Sequence, residues 1–213
     1  MADPALPTVR VAEASFDGLR IQYDERVLAP RPWTVLQSRW AADLLDTLPA
    51  GRVLELCCGA GQIGLAAVAT SSRELVCVDR DPAAAAYAVD NAARAGLTHR
   101  VEVRQASLDD AARDSEHFAL VIADPPWVPS AETARWPEDP VGAIDGGPDG
   151  LGAARACLAV AAAHLVPHGA VLLQLGSVEQ VDVLREEAPR AGLMFTEIRM
   201  GQGGVVASFT GQG

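Results

Sequence analysis

The chain contains no lysine: all 17 of its basic residues are arginine, set against 28 acidic residues for a net charge of -11. That absence excludes Schiff-base chemistry and a P-loop lysine. An acid excess of this size leaves no electrostatic footprint for tight, non-specific nucleic-acid binding. Cysteine is sparse as well. Cys57, Cys58, Cys77 and Cys157 stand in apolar runs with neither a disulfide framework nor a zinc spacing, so they read as buried free thiols of a reducing compartment. No stretch approaches the roughly 20 apolar residues of a membrane span, and residues 1–14 lack a basic-then-apolar leader pattern. The expectation is a cytoplasmic protein without a membrane partner. His99, His117, His164 and His168 form no triad or metal spacing with nearby carboxylates, so no metal site is expected.

What is present is apolar material for a full core, 49% of 213 residues, a size for one α/β domain. From residue 50 onward β-rich runs alternate with helical patterns. Strands are expected at residues 52–56, 74–78, 100–104, 118–123 and 170–175, the fourth apolar throughout as a strand covered on both faces would be. Helices are expected at 82–95, with Pro82 in the first turn, at 150–165 and at 178–188. Residues 195–200 and 205–209 flank a Gly-Gln-Gly-Gly hairpin signal. The series predicts a doubly wound, mostly parallel seven-stranded sheet closing with an antiparallel hairpin, its ligand edge at the carboxyl ends of the parallel strands. Residues 1–15 read as an extension and 16–213 as a single domain. A hairpin and a helix at 16–48 precede the core; Trp33 and Trp40 are read as packing residues of that helix. Residues 127–150 carry four prolines and little periodicity, a long loop best read as functional.

Residues 53–65 run strand, glycine turn, helix start. Glycine permits positive φ and close approach of a ligand to the main chain. Glu55 lies in the strand end, where a pyrophosphate is repelled and an ammonium held. Asp79 ends the next strand, where a carboxylate can take both ribose hydroxyls. An acid for an amine, backbone for an adenosine and an acid for a ribose describe S-adenosylmethionine better than NAD. The segment from Glu55 to Gly61 resembles the acid-x-Gly-x-Gly-x-Gly motif of class I methyltransferases, with Cys57 in place of the first glycine. The resemblance implies a doubly wound fold and a cofactor site made by Glu55, Cys57, Gly59, Gly61, Ile63, Asp79, Arg80, Ser107, Leu108 and Asp124. Ser107 stands where an aspartate often meets the adenine amino group, with Asp109 as the alternative.

Asp124-Pro125-Pro126-Trp127 ends the fourth strand at the ligand edge. Two prolines end ladder bonding and fix the chain so that Asp124 and neighbouring carbonyls point into the crevice. Methyl transfer to nitrogen needs a lone pair aligned with the S–CH3 axis and acceptors for its N–H protons. Trp127 supplies a flat face. The four residues match the Asx-Pro-Pro-aromatic motif of methyltransferases acting on amino and amide nitrogens, and on that resemblance all four are the catalytic candidates. Pro30-Arg31-Pro32-Trp33-Thr34, the segment 139–151 and the segment 173–180 further resemble the HemK-type glutamine N5-methyltransferases of release factors. This implies Pro30, Arg31, Thr34, Trp127, Gly146 and Gly147 as acceptor-binding residues. That family has Asn-Pro-Pro-Tyr: asparagine both donates and accepts, whereas an ionised Asp124 only accepts. A glutamine amide, a small-molecule amine and a base amino group therefore stay open as acceptors, with nucleic acid ranked below protein or small molecule on charge. The family's helical N-terminal domain has no counterpart in the sequence.

Overall fold

The computed structural model describes residues 10–211. Two short strands, β1 (Ala12–Phe16) and β2 (Leu19–Tyr23), form a separate antiparallel ribbon. After a 3-10 turn at Pro32–Thr34, α1 (Val35–Leu45) leads into the main alternation. This comprises β3 (Arg52–Leu56), α2 (Gln62–Val68), β4 (Leu75–Asp79), α3 (Pro82–Arg94), β5 (Val101–Gln105) and β6 (Phe118–Ala123). A four-residue α4 (Val141–Ile144) precedes α5 (Gly152–His164), β7 (Leu165–Leu175) and α6 (Val178–Glu187). The chain closes with β8 (Leu193–Gly201) and β9 (Gly204–Gly211).

The sheet order is β5-β4-β3-β6-β7-β9-β8, with β3 to β7 parallel and β8 and β9 antiparallel. The doubly wound seven-stranded sheet is the expected fold. Side chains alternate along each strand, so one sheet feeds two cores. Leu120 and Ile122 join Trp40, Val53 and Leu172 on one face; Val121 and Ala123 join Leu54, Val76 and Val171 on the other. Strand order reverses between β3 and β6, so their carboxyl ends diverge at the switch point where such folds bind ligands. Asp81 caps α3 by accepting from the N–H groups of Ala83 and Ala84, and Pro82 opens its first turn. Asn91 on α3 holds the ribbon: it accepts from the Gln22 N–H and donates to the carbonyls of Gln22 and Ala60.

Three expectations on boundaries change. The ribbon begins at Ala12, inside the segment 1–15 read as an extension, because the odd-even pairing with β2 runs back to Ala12–Tyr23; residues 1–9 lie outside the described residues. β7 begins at Leu165, since an irregular stretch with His168 at φ 62 carries the pairing from Phe118–Leu165 to Leu120–Ala170. The 127–150 loop is folded in part: a 3-10 turn at Ser130–Arg135, α4 and a bridge between Val128 and Asp145 organise it. Among the described residues, no helix is long and apolar enough to cross a membrane.

Candidate active site

The turn after β3 is made almost wholly by main chain. Cys57, Gly59 and Gly61 all take left-handed φ, at 56°, 54° and 81°. A Cβ at Gly61 would stand 3.2 Å from Leu65 and 3.3 Å from Ala88, whereas nothing lies within 4 Å of a Cβ at Gly59, so open space sits over that residue. The loop is fastened from β4: the Cys58 N–H donates to the Val78 carbonyl, and the Gly59 N–H to Asp79 Oδ2 at 2.8 Å. Asp79 Oδ1 accepts from the Asp81 N–H. Burial raises the Asp79 pKa, against these backbone bonds. Ser107, exposed just beyond β5, donates its hydroxyl to Asp110.

Three of the expected cofactor residues are engaged by the protein itself. Glu55 is buried at the end of β3, near enough to Asp79 and Asp124 to feel their charge. Its Oε1 accepts from the Gly64 N–H at 3.0 Å and its Oε2 from the Cys77 thiol at 3.3 Å. A fully buried carboxyl is penalised as an anion, and burial pushes its pKa up to about 7. Ile63 belongs to the core, since the face of α2 that carries it packs on the sheet. Arg80 turns outward across the edge and donates to the Gly142 carbonyl at 2.9 Å.

At the end of β6, Asp124 lines a cavity of about 270 Å3 that Pro125, Pro126 and Trp127 also wall, with Arg31 and Thr34 opposite. No hydrogen bond holds the Asp124 carboxyl among the described residues; desolvation pushes its pKa up to about 7, opposed only by the charge of Arg31. Trp127 is fixed at its ring and at its carbonyl. A Cβ at Gly176 would fall 2.3 Å from its Cε3, so the indole lies on that glycine. Gln180 Nε2 donates to the Trp127 carbonyl while its Oε1 accepts from the Gly176 N–H, both at 2.9 Å. Arg31 pairs with Asp139, tying the Pro-Arg-Pro corner to the loop, and the Thr34 hydroxyl donates to the Arg31 carbonyl. Pro30 is not part of the wall. Gly146 and Gly147 are not either: Gly146 backs the corner, where a Cβ would stand 2.7 Å from the Pro126 carbonyl oxygen.

The sequence reading missed Leu28, Trp33, Trp136, Glu138, Asp139 and Ile144, which all line the cavity. Trp33 does both: its indole lies on Gly203 of the terminal hairpin and also lines the cavity, whereas Trp40 only packs, at 2% exposure. Helical spacing could not separate the two, because Trp33 precedes the helix proper in the 3-10 turn. Gln37 was also missed. Wholly buried on α1, it donates to the carbonyls of Ala123 and Leu172 and so fixes the strand end that presents Asp124.

Residues 38–136 match the family described as Methyltransferase small domain. The release factor glutamine methyltransferase of Deinococcus radiodurans is 38% identical over 168 residues, which cover 76% of this chain and 59% of that protein. The chain belongs to the HemK-like class I S-adenosylmethionine-dependent methyltransferases. The ribosomal protein uL3 glutamine methyltransferase of Bordetella pertussis is 32% identical over 171 residues, covering 77% of this chain and 57% of that one. The chain thus spans somewhat under two-thirds of the length of the curated relatives it matches. The Thermus thermophilus 16S rRNA N2 G1207 methyltransferase, solved with AdoMet and guanosine, superposes with a TM-score of 0.69 at 21% identity. The overlap covers 98% of this chain and 52% of that one, and shows the shared fold.

The residues present fit S-adenosylmethionine. Open space over Gly59, a carboxylate at the end of β4 and a second carboxylate on the facing strand end suit a neutral nucleoside carrying a sulfonium charge.

Proposed function

We propose that this domain methylates a side-chain amide nitrogen, that of a glutamine in a protein, with Asp124 at the reacting centre. The observation that carries the reading is an unpartnered Asp124 carboxyl at the switch point, on the wall of a cavity that opens to solvent, at the end of the strand paired with the one that leads into the glycine turn. The two sequence relatives, both glutamine methyltransferases, support the amide.

S-adenosylmethionine, when bound, supplies an electrophilic methyl group on a positively charged sulfur. The chain's part is placement. Cys57, Gly59 and Gly61 offer main chain, Asp79 accepts from ribose hydroxyls, and Ser107 and Leu108 flank the base. Asp124 and the adjoining carbonyls accept the N–H protons of the acceptor and fix its lone pair. The departure from asparagine is compatible with an amide because of burial. With a pKa near 7, Asp124 exists in part as the neutral acid, which donates through O–H and accepts through C=O. Trp127, held flat on Gly176, closes one side of the cavity against water.

Asp124 also favours a second reading. Ionised, it accepts only, as a primary or secondary amine requires. One experiment tests both: labelled S-adenosylmethionine with a glutamine peptide and with an alkylamine, at pH 6 and pH 8. Amide methylation falls as pH rises through 7, because the donating form is lost; methylation of the amine alone transfers the assignment to amines. Asp124→Ala must lose methyl transfer by about 10^3-fold while still binding cofactor in a calorimeter. A fully active Asp124→Ala enzyme means the reacting centre lies elsewhere.

A further inference from the structure

We propose that the acceptor cavity seats a positively charged side chain beside the residue being methylated, so that the partner is a protein segment carrying arginine or lysine next to its acceptor. The inference rests on reading this cavity as the acceptor site. Its wall carries the carboxylates of Asp124, Glu138 and Asp139 against one guanidinium, Arg31. That guanidinium is already used. It stands 5.6 Å from the centroid of the Trp33 ring and pairs with Asp139, whose side chain is only 8% exposed. Indole, guanidinium and carboxylate form a complete set on one side of the cavity.

On the same wall, Trp136 and Glu138 provide the same two components without the cation. Both line the wall, two residues apart on the loop. Among the described residues, Trp136 stacks on no ring or guanidinium and Glu138 enters no ion pair or hydrogen bond. The loop that presents them is fixed at several points: Asp139 by Arg31, Gly142 by Arg80, and Asp145 by the Ser130 hydroxyl. An indole beside a free carboxylate favours an organic cation, whose charge meets the ring face while its apolar stem packs on the wall. Pro126, Ala143 and Ile144 supply that apolar surface. A phosphate backbone meets the opposite conditions: an acidic wall on a chain of net charge -11.

The test uses the full chain loaded with S-adenosylhomocysteine and three glutamine peptides differing at one flanking position: arginine, alanine or glutamate. Calorimetry is expected to show the arginine peptide binding about tenfold more tightly than the alanine peptide and the glutamate peptide more weakly than either. The preference shrinks as salt is raised. Glu138→Gln and Trp136→Leu each collapse the difference, and Glu138→Asp restores part of it. Equal affinity for the three peptides overturns the proposal, as does an RNA oligonucleotide that binds in preference to the arginine peptide. The same peptides with labelled S-adenosylmethionine report separately on the acceptor. Selective binding without methylation counts against the glutamine reading and leaves this proposal standing; equal binding with methylation does the reverse.

Discussion

The glycine turn after β3 and the 127–150 loop after β6 leave adjacent strands at the same sheet edge, yet they are held by different means. The turn is short and backbone-made: three left-handed residues, a carboxylate beneath it in Glu55 and one beside it in Asp79. The loop is held by side chains from distant parts of the chain. Arg31, Arg80 and Gln180 each reach it from a different element, and Gly176 leaves room for the Trp127 indole to lie on its backbone. A turn of the first kind is specified by a few consecutive residues and suits an invariant ligand. A loop of the second kind can change its lining without changing its fold, which suits the half of the site that selects an acceptor.

The largest expected effect breaks the turn's support. Glu55 has a folded pKa of about 7 against an ordinary value of 4.5, so between those values the folded protein holds a proton that the unfolded chain has released. Stability therefore falls as pH rises from 4.5 to 7, by up to about 3 kcal/mol for the whole shift. Glu55→Gln keeps an oxygen for the Gly64 N–H and removes the proton. Denaturant unfolding across this range is expected to show the variant overtaking wild type at pH 8, with the gap closing near pH 4. Parallel curves for the two proteins would mean that Glu55 ionises freely in the fold.

Next in size is the loop's anchor. Gly176→Ala places a methyl group where the Trp127 indole lies, so the ring must move. Methyl transfer is expected to drop about a hundredfold through lost alignment, with cofactor affinity retained. Arg31→Met, smaller again, frees Asp139 and the loop from the Pro-Arg-Pro corner. It should raise the acceptor KM about tenfold and leave the cofactor Kd unchanged. An equal loss in both constants would show that turn and loop act as one unit.

Legibility divides along the same line. The strands and the glycine turn could be read because β6 is an unbroken apolar run and the turn's glycines, Gly59 and Gly61, stand one residue apart directly after a strand. Asp124 and Trp127 were legible for the same local reason, as a Pro-Pro corner after a buried strand. The burial of Glu55 was not legible because position in a strand end does not reveal which face of the sheet its side chain takes; the small Gly64 above it, where a Cβ would stand 2.4 Å from Oε2, was the signal. Trp136, Glu138 and Asp139 carry no local pattern, and Arg31 meets Asp139 across 108 positions of sequence. Gly176 and Gln180 stood in a recognised segment, but only the fold shows that both serve Trp127.

The smallest effect probes the one side chain in the turn where the resembled motif has glycine. Cys57 sits at φ 56, a conformation that costs an L residue roughly 1–2 kcal/mol. The neighbouring Cys157 and burial raise its thiol pKa, and the side chain packs against the core that contains Cys157, a role that glycine lacks. A single replacement would mix the two contributions, so a pair is needed. Cys57→Ala loses the thiol contact and keeps the strain; Cys57→Gly loses both. Alanine is ordinarily the more stable of the two by roughly 0.5–1 kcal/mol inside regular structure. Here the order is expected to invert, with the glycine variant about 1 kcal/mol more stable than the alanine variant in urea unfolding. The usual order at this position would show that the turn relaxes around Cys57. In that case the backbone-made half of the site is less rigid than its hydrogen bonds imply, and its contrast with the loop narrows.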